Sequence, residues 1–337
     1  YNRGVLYLRN GKLDQATSYF QETLQKDPNF SEALAQLGVI KAMRGQTTEG
    51  EVLINQALDM DKYSAPARDY LSRKALQEGK PDEAIRHCRI ALLGDPDNMN
   101  AYLNMAVAWY RKGRLDVGDL VCQSALLIDE KNASILNMQG LIRLKRDDVK
   151  GAISLFQAAL NADPNFLDAR KNLAAVTLNF KDFATAAREF EAVLKAEPGN
   201  QQFQVSYALA LRGVERFDEA LAVLTKALEK SPGNLEARYN ECILLHEYIQ
   251  DYAKALQECE RFKSALDRKH PKYKEMKLRV KGIRETIKVM EEMKEMEKEE
   301  PPAEEEPPAE EKKPVEEEKP AEEKKPVEEK KPAEEKK

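Results

Sequence analysis

Apolar and polar positions along this chain repeat in blocks of 34 residues. A small apolar residue returns at Ala16, Gly50, Ala84, Gly118, Ala152, Ala186 and Ala220. A second series runs in phase with it: Pro28, Lys62, Pro96, Glu130, Pro164, Pro198, Pro232. A third marks the middle of each block: Gly11, Gly45, Gly79, Gly113, Asp147, Lys181, Glu215. A fixed period of roughly 20–50 residues marks a solenoid or an array.

Each series has a physical job. A small residue lets two helices approach, since axial separations of about 8–10 Å depend on the side chains between them. Glycine ends a first helix because it accepts the left-handed conformation cheaply. Proline cannot continue a helix, so it ends the second. It sits in turn-forming contexts such as Asp27-Pro28-Asn29 and Glu197-Pro198-Gly199-Asn200. Each block therefore predicts two antiparallel helices of roughly 13–16 residues, and stacked blocks bury a continuous core. The expected fold class is all-α.

The blocks resemble tetratricopeptide repeats (TPRs). Gly4, Tyr7, Gly11, Ala16, Phe20 and Pro28 carry the likeness in one block; Gly140, Ala152, Phe156, Ala159 and Pro164 carry it in another. The resemblance implies a right-handed superhelical solenoid of about eight helix-turn-helix repeats. The expected units are 1–30, 31–64, 65–98, 99–132, 133–166, 167–200, 201–234 and 235–268. Units 31–64 and 99–132 have Gly50 and Gly118 where alanine is usual and lack the proline. Glycine inside a helix costs about 1 kcal/mol relative to alanine, so these two units are expected to be softer. The last unit carries one extra residue near Ile249–Gln250, which moves Ala255 out of phase and marks a degenerate terminal repeat.

In a TPR stack the first helix of each hairpin lines the concave face, so the resemblance implies which side chains meet a partner. Projected onto this chain they are Asp69, Arg73, Asn104, Arg111, Asn137, Lys145, Lys171, Asn172, Arg212, Tyr239 and Asn240. Cations and amides suit an extended peptide bearing carboxylates, with Asn104 and Asn172 available to its backbone. Charge reversal at Lys171 is expected to weaken a partner without lowering the melting temperature. The alternative is that these asparagines serve the repeat and the cations are merely solvated.

Beyond the repeats the pattern changes. Residues 272–299 predict one long helix whose apolar positions, Tyr273, Met276, Val280, Ile283, Ile287 and Met290, alternate steps of three and four. It is expected to cap the last repeat; a coiled-coil contact is the other reading. From residue 300 the chain is mostly Glu, Lys and Pro, its apolar side chains beyond alanine being Val315 and Val327, with prolines every six residues from Pro308 to Pro332. Such a segment buries too little apolar surface to order itself, and its proline and charge make it extended, as a solubilising tail or as a tether. Its composition is similar to spacers of bacterial envelope proteins.

Charge narrows the partner class. Residues 299–337 hold 16 Glu and 9 Lys, a balance of −7, which leaves +2 for the rest of a chain whose net charge is −5. A near-neutral stack offers no basic stripe for nucleic acid, and no apolar run is long enough to span a bilayer. The chain begins at Tyr1 inside a helix, as a fragment or processed product would, and a signal peptide or a lipid-bearing cysteine would lie upstream.

Catalytic chemistry is not legible. There are three histidines, no G-x-S-x-G, no phosphate-binding or dinucleotide glycine motif, and no C-x-x-C. No enzyme activity, cofactor or metal is expected. Cys88 and Cys122 stand where other blocks have Phe20, Phe156 and Phe190, and Cys242 replaces a small residue, so all four cysteines are expected to be buried thiols rather than disulfides. The expected function is a scaffold holding other proteins or extended peptides; a pilotin-like or co-chaperone assembly factor is the alternative. The repeat stack with its charged tail also resembles TPR lipoproteins of the myxobacterial gliding-motility machinery, which would imply the cell envelope, outer membrane or periplasm, rather than the cytoplasm.

Overall fold

The computed structural model describes the backbone of residues 1–299 and side chains through Met296; the segment expected to be an extended tail, 300–337, lies outside the described residues. The described residues form seventeen α-helices and one π-helical turn, with no strand among them. Paired in chain order they are α1 (Asn2–Arg9) with α2 (Leu13–Lys26), α3 (Ser31–Met43) with α4 (Thr47–Met60), and α5 (Ala65–Gln77) with α6 (Pro81–Gly94). Then follow α7 (Met99–Arg111) with α8 (Leu115–Ile128), α9 (Ala133–Lys145) with α10 (Val149–Ala162), and α11 (Leu167–Asn179) with α12 (Phe183–Ala196). The last pairs are α13 (Gln201–Gly213) with α14 (Phe217–Lys230) and α15 (Leu235–Ile243) with α16 (Tyr252–Ala265), before the single helix α17 (Pro271–Glu299). Contacts divide the chain into one unit at 1–287 and another at 288–337.

Each of the eight hairpins has one left-handed residue in its inner turn. Gly11, Gly45, Gly79 and Gly113 have φ between +70° and +84°. Asp147, Lys181, Glu215 and Gln250 adopt φ near +60° without being glycine, at a cost of about 1 kcal/mol each. In the first seven hairpins the geometry persists because the following amide reaches back five residues to close the helix: Lys12 to Tyr7, Arg114 to Trp109, Asp182 to Thr177.

The turn between hairpins does not depend on proline. Asp27, Asp61, Asp95, Asp129 and Asp163 each accept a bond from the amide two residues on, at 2.9–3.3 Å. That aspartate series has the 34-residue period too, and it builds the turn at Lys62 and Glu130 where proline is missing. Arg68, Arg170 and Arg238 then tie the turn down. Each donates to the carbonyl of Lys62, Pro164 or Pro232 and reaches His87, Glu189 or Glu258 on the second helix of its own hairpin.

The core repeats as pairs of facing positions, small on the first helix and large on the second. An added Cβ at Gly4 would strike the Phe20 ring at 2.6 Å, one at Gly140 the Phe156 ring at 2.6 Å, and one at Gly38 the Ile54 side chain at 2.8 Å. Ser72 with Cys88, Ala106 with Cys122, Ala174 with Phe190, and Ala208 with Leu224 fill the same two positions, all buried. In the last hairpin the pair is Cys242 and Cys259, and it is a disulfide with Cα atoms 5.0 Å apart. This corrects the expectation of four free thiols. The extra residue near Gln250 is taken up by the π-helical turn Leu244–Ile249, so Ala255 is fully buried at the small position and Cys259 falls at the phenylalanine position, opposite Cys242. Cys88 and Cys122 remain free and buried; burial pushes both thiols up to about 12, which makes them inert core residues.

Met276, Val280 and Ile283 of α17 are buried with Cys242, Phe262 and Leu266, and Ile287 is partly buried against the same cluster. Val289, Met290, Met293 and Met296 are exposed.

Candidate functional site

The first helices of successive hairpins pack on each other from α3 through α15, besides packing on their own partners; the second helices reach only the first helix of the next hairpin. An array packed more closely along one row curves toward it, so α3, α5, α7, α9, α11, α13 and α15 form the inner face. Two rows run along that face. One is Val5, Val39, Arg73, Val107, Leu141, Ala175, Leu209 and Ile243; the other is Leu8, Ala42, Leu76, Tyr110, Leu144, Leu178 and Arg212. Most are half-buried, and each row holds one charged residue, Arg73 in the first and Arg212 in the second. These apolar rows were missed in the sequence, although the 34-residue register contains them.

The expected site residues divide by their partners. Asn104, Asn172 and Asn240 each donate one internal hydrogen bond. Asn104 Nδ2 donates to Ser72 Oγ at 2.8 Å, and Asn172 Nδ2 to Asn137 Oδ1 at 2.8 Å, each joining neighbouring hairpins. Asn240 Nδ2 donates to the Glu236 carbonyl at 2.8 Å within its own helix. Tyr239 is held by α17: its hydroxyl donates to Glu275 at 3.3 Å, and Lys272 Nζ sits 3.4 Å from its ring centre. Lys171 forms an ion pair with Glu197 at 2.6 Å and lies over Phe203. Reversing its charge would set two carboxylates together, so that substitution tests stability as much as binding. Arg111 donates to the Leu76 carbonyl, and Arg212 lies over the Tyr248 ring at 5.3 Å. Arg73 and Lys145 are exposed and make no ion pair among the described residues.

Asp69 is buried and accepts from Asn98 Nδ2 at 3.3 Å. It lines a cleft of about 350 Å³ with Tyr1, Glu32, Pro66 and Asp95. Burial raises its carboxyl to about 6 from 3.8, against smaller opposing contributions from Asn100, Arg73 and Asn98. A carboxyl raised on folding holds its proton more tightly in the native state, so at neutral pH it opposes folding. That penalty is relieved as pH falls through about 6 toward 3.8. Asp69→Asn is therefore expected to raise stability at pH 7.5 by about 1–2 kcal/mol and to leave it unchanged below about pH 4. Thermal melts of both proteins at pH 4, 5.5 and 7.5 check this; an equal offset at all three would remove titration as the cause.

No described helix is long and apolar enough to cross a membrane, and the described residues contain no cluster of metal-ligating side chains. Models of the tetratricopeptide repeat match residues 1–30, 71–118, 137–201, 174–235 and 207–271, more than half of the chain. The chain belongs to the tetratricopeptide-repeat family, and its fold is that family's all-α solenoid. A TPR repeat-containing protein of Dictyostelium discoideum is 27% identical over 152 residues, covering 42% of this chain and 57% of its own length. Human DnaJ homolog subfamily C member 3 is 24% identical over 143 residues, covering 38% of this chain and 28% of its own length. The chain thus spans a little over half, or less, of these relatives. Among solved structures, that of the APC/C hetero-tetramer Cut9–Hcn1 superposes with a TM-score of 0.58 at 17% identity, covering 72% of this chain and 48% of that one. Proteins of this family are in general protein-interaction scaffolds without catalytic activity of their own.

Proposed function

We propose that the inner face holds an extended, carboxylate-bearing segment of a partner protein, and that the chain acts as a scaffold in a multiprotein assembly. The observation that carries this reading is the pair of exposed cations, Arg73 and Lys145, unpaired among the described residues and set beside apolar rows on the inner helices. A guanidinium or ammonium without a partner offers a charge-assisted contact that a carboxylate completes. The assembly we favour is one of the bacterial cell envelope: the repeat stack and the Glu/Lys/Pro composition support it, and a disulfide in the last hairpin suits an oxidising compartment. The similarity to DnaJ homolog subfamily C member 3 favours a second reading, a factor that handles a client transiently.

The test is affinity capture from native lysate with the full chain and with an Arg73→Glu/Lys145→Glu variant. A partner recovered in stoichiometric amount by the first and lost by the second, at unchanged melting temperature, is the expected result. Equal recovery by both would move the binding surface off the inner face. Sub-stoichiometric recovery that depends on the same two residues would select the client-handling reading.

A further inference from the structure

Between α3, α5 and the first turns of α4 lies a cleft of about 440 Å³. Its apolar wall is Val39, Ala42 and Met43 from α3, with Tyr70 from α5 opposite. Met43 is 61% exposed there, an unbranched thioether able to adjust to whatever enters. This is room enough for one large side chain, at the low end of the volumes that ligand sites use.

The charges around the cleft are unequal in their availability. Glu51 accepts from Lys74 and from the Tyr70 hydroxyl. Glu78 accepts from Lys80 at 2.6 Å and lies 3.9 Å from Lys74. Those four charges neutralise one another. Arg73, on the rim, is left without an ion pair among the described residues. It stands in a row where neighbouring hairpins carry Val39, Val107 and Leu141, so packing does not call for a guanidinium there. One turn earlier on the same helix, Asp69 lines a separate cleft. An apolar socket with one cation on its rim that makes no ion pair among the described residues has polarity as well as shape.

Resting on the reading that the inner face binds an extended segment, we propose that this cleft is its selective subsite. It takes a large aliphatic or aromatic side chain, and Arg73 takes an aspartate or glutamate carboxylate one or two residues from it. A basic residue in the second place meets Arg73 and is rejected; an amide there forfeits the charge-assisted bond.

A displayed library of random twelve-residue peptides, selected on the full chain and on Arg73→Leu, tests this. Leucine suits the row, and Arg73 is exposed, so the variant keeps the fold; matched melting curves confirm it. The wild-type chain is expected to enrich peptides with a large apolar residue followed closely by an acidic one. Arg73→Leu should keep the apolar preference and lose the acidic one. For one enriched peptide, replacing its glutamate by glutamine should weaken binding to the wild-type chain about tenfold or more, and less than about twofold to Arg73→Leu. Enriched peptides that lack the acid, or an acid preference that survives Arg73→Leu, overturn the subsite and leave inner-face binding standing. Selection of no peptide by either chain overturns both.

Discussion

Reduction of Cys242–Cys259 is expected to destabilise the last hairpin by about 3 kcal/mol, the value for cross-linking a short loop in the unfolded chain; the sequence separation here is 17. The loss should be local, because each repeat of a solenoid draws its stability from itself and its neighbours. Hydrogen exchange with and without reductant is the suitable measurement, since a repeat array need not unfold in one step. Protection should fall in α15, α16 and the buried part of α17, where Met276, Val280 and Ile283 share the cluster that contains both cysteines, and should stay unchanged in α3 through α9. Thiol titration of the unfolded, unreduced chain should find two reactive groups, Cys88 and Cys122. Four would mean that the disulfide does not form in the purified protein.

The second expected result separates helix propensity from packing. Gly50 and Gly118 occupy the same place in two repeats, and propensity alone makes alanine better at both by about 1 kcal/mol. The structure disagrees for one of them. A Cβ on Gly50 would lie 2.5 Å from the Gly38 carbonyl oxygen, and one on Gly38 would lie 2.6 Å from the Gly50 carbonyl oxygen. Two backbones meet there, and neither can step aside as a side chain would. At Gly118 the nearest atom is the end of the Ile142 side chain at 3.2 Å. Gly50→Ala is therefore expected to destabilise its hairpin by about 1–3 kcal/mol through overpacking, and Gly118→Ala to be neutral or to stabilise by up to about 1 kcal/mol. Hydrogen exchange of α3–α4 and α7–α8 in the two variants reads the difference; stabilisation in both would show that α3 and α4 separate readily.

The repeat and its class were legible because they depend on residue type at a fixed interval. The small positions, the left-handed turns and the facing pairs all obey that interval. What the register does not state is which neighbour a side chain meets. Asn104 and Asn172 stand at groove positions, yet each also donates to a side chain about one repeat earlier, Ser72 or Asn137. Lys171 stands at a groove position, and Glu197 at the end of the same hairpin pairs with it. Units 31–64 and 99–132 lack the proline, and there Asp61 and Asp129 shape the turns. Those aspartates lie in plain view one residue before the proline series, masked because proline is the more familiar helix breaker. The disulfide was hidden by a single inserted residue: with it discounted, Cys242 and Cys259 occupy the two positions that Gly4 and Phe20 occupy in the first hairpin, and these are in contact.

That inserted residue shows how the array handles a change in its own length. An additional residue inside a second helix would rotate every later side chain by about 100°, turning the buried face toward solvent. Placed at the end of an inner helix, it widens one turn into the six-residue π-helical stretch Leu244–Ile249 and goes no further. Downstream, Ala255 and Cys259 are back in step and fully buried. The junction between the two helices of a hairpin is thus a place where repeats can drift in length while the stack keeps its phase.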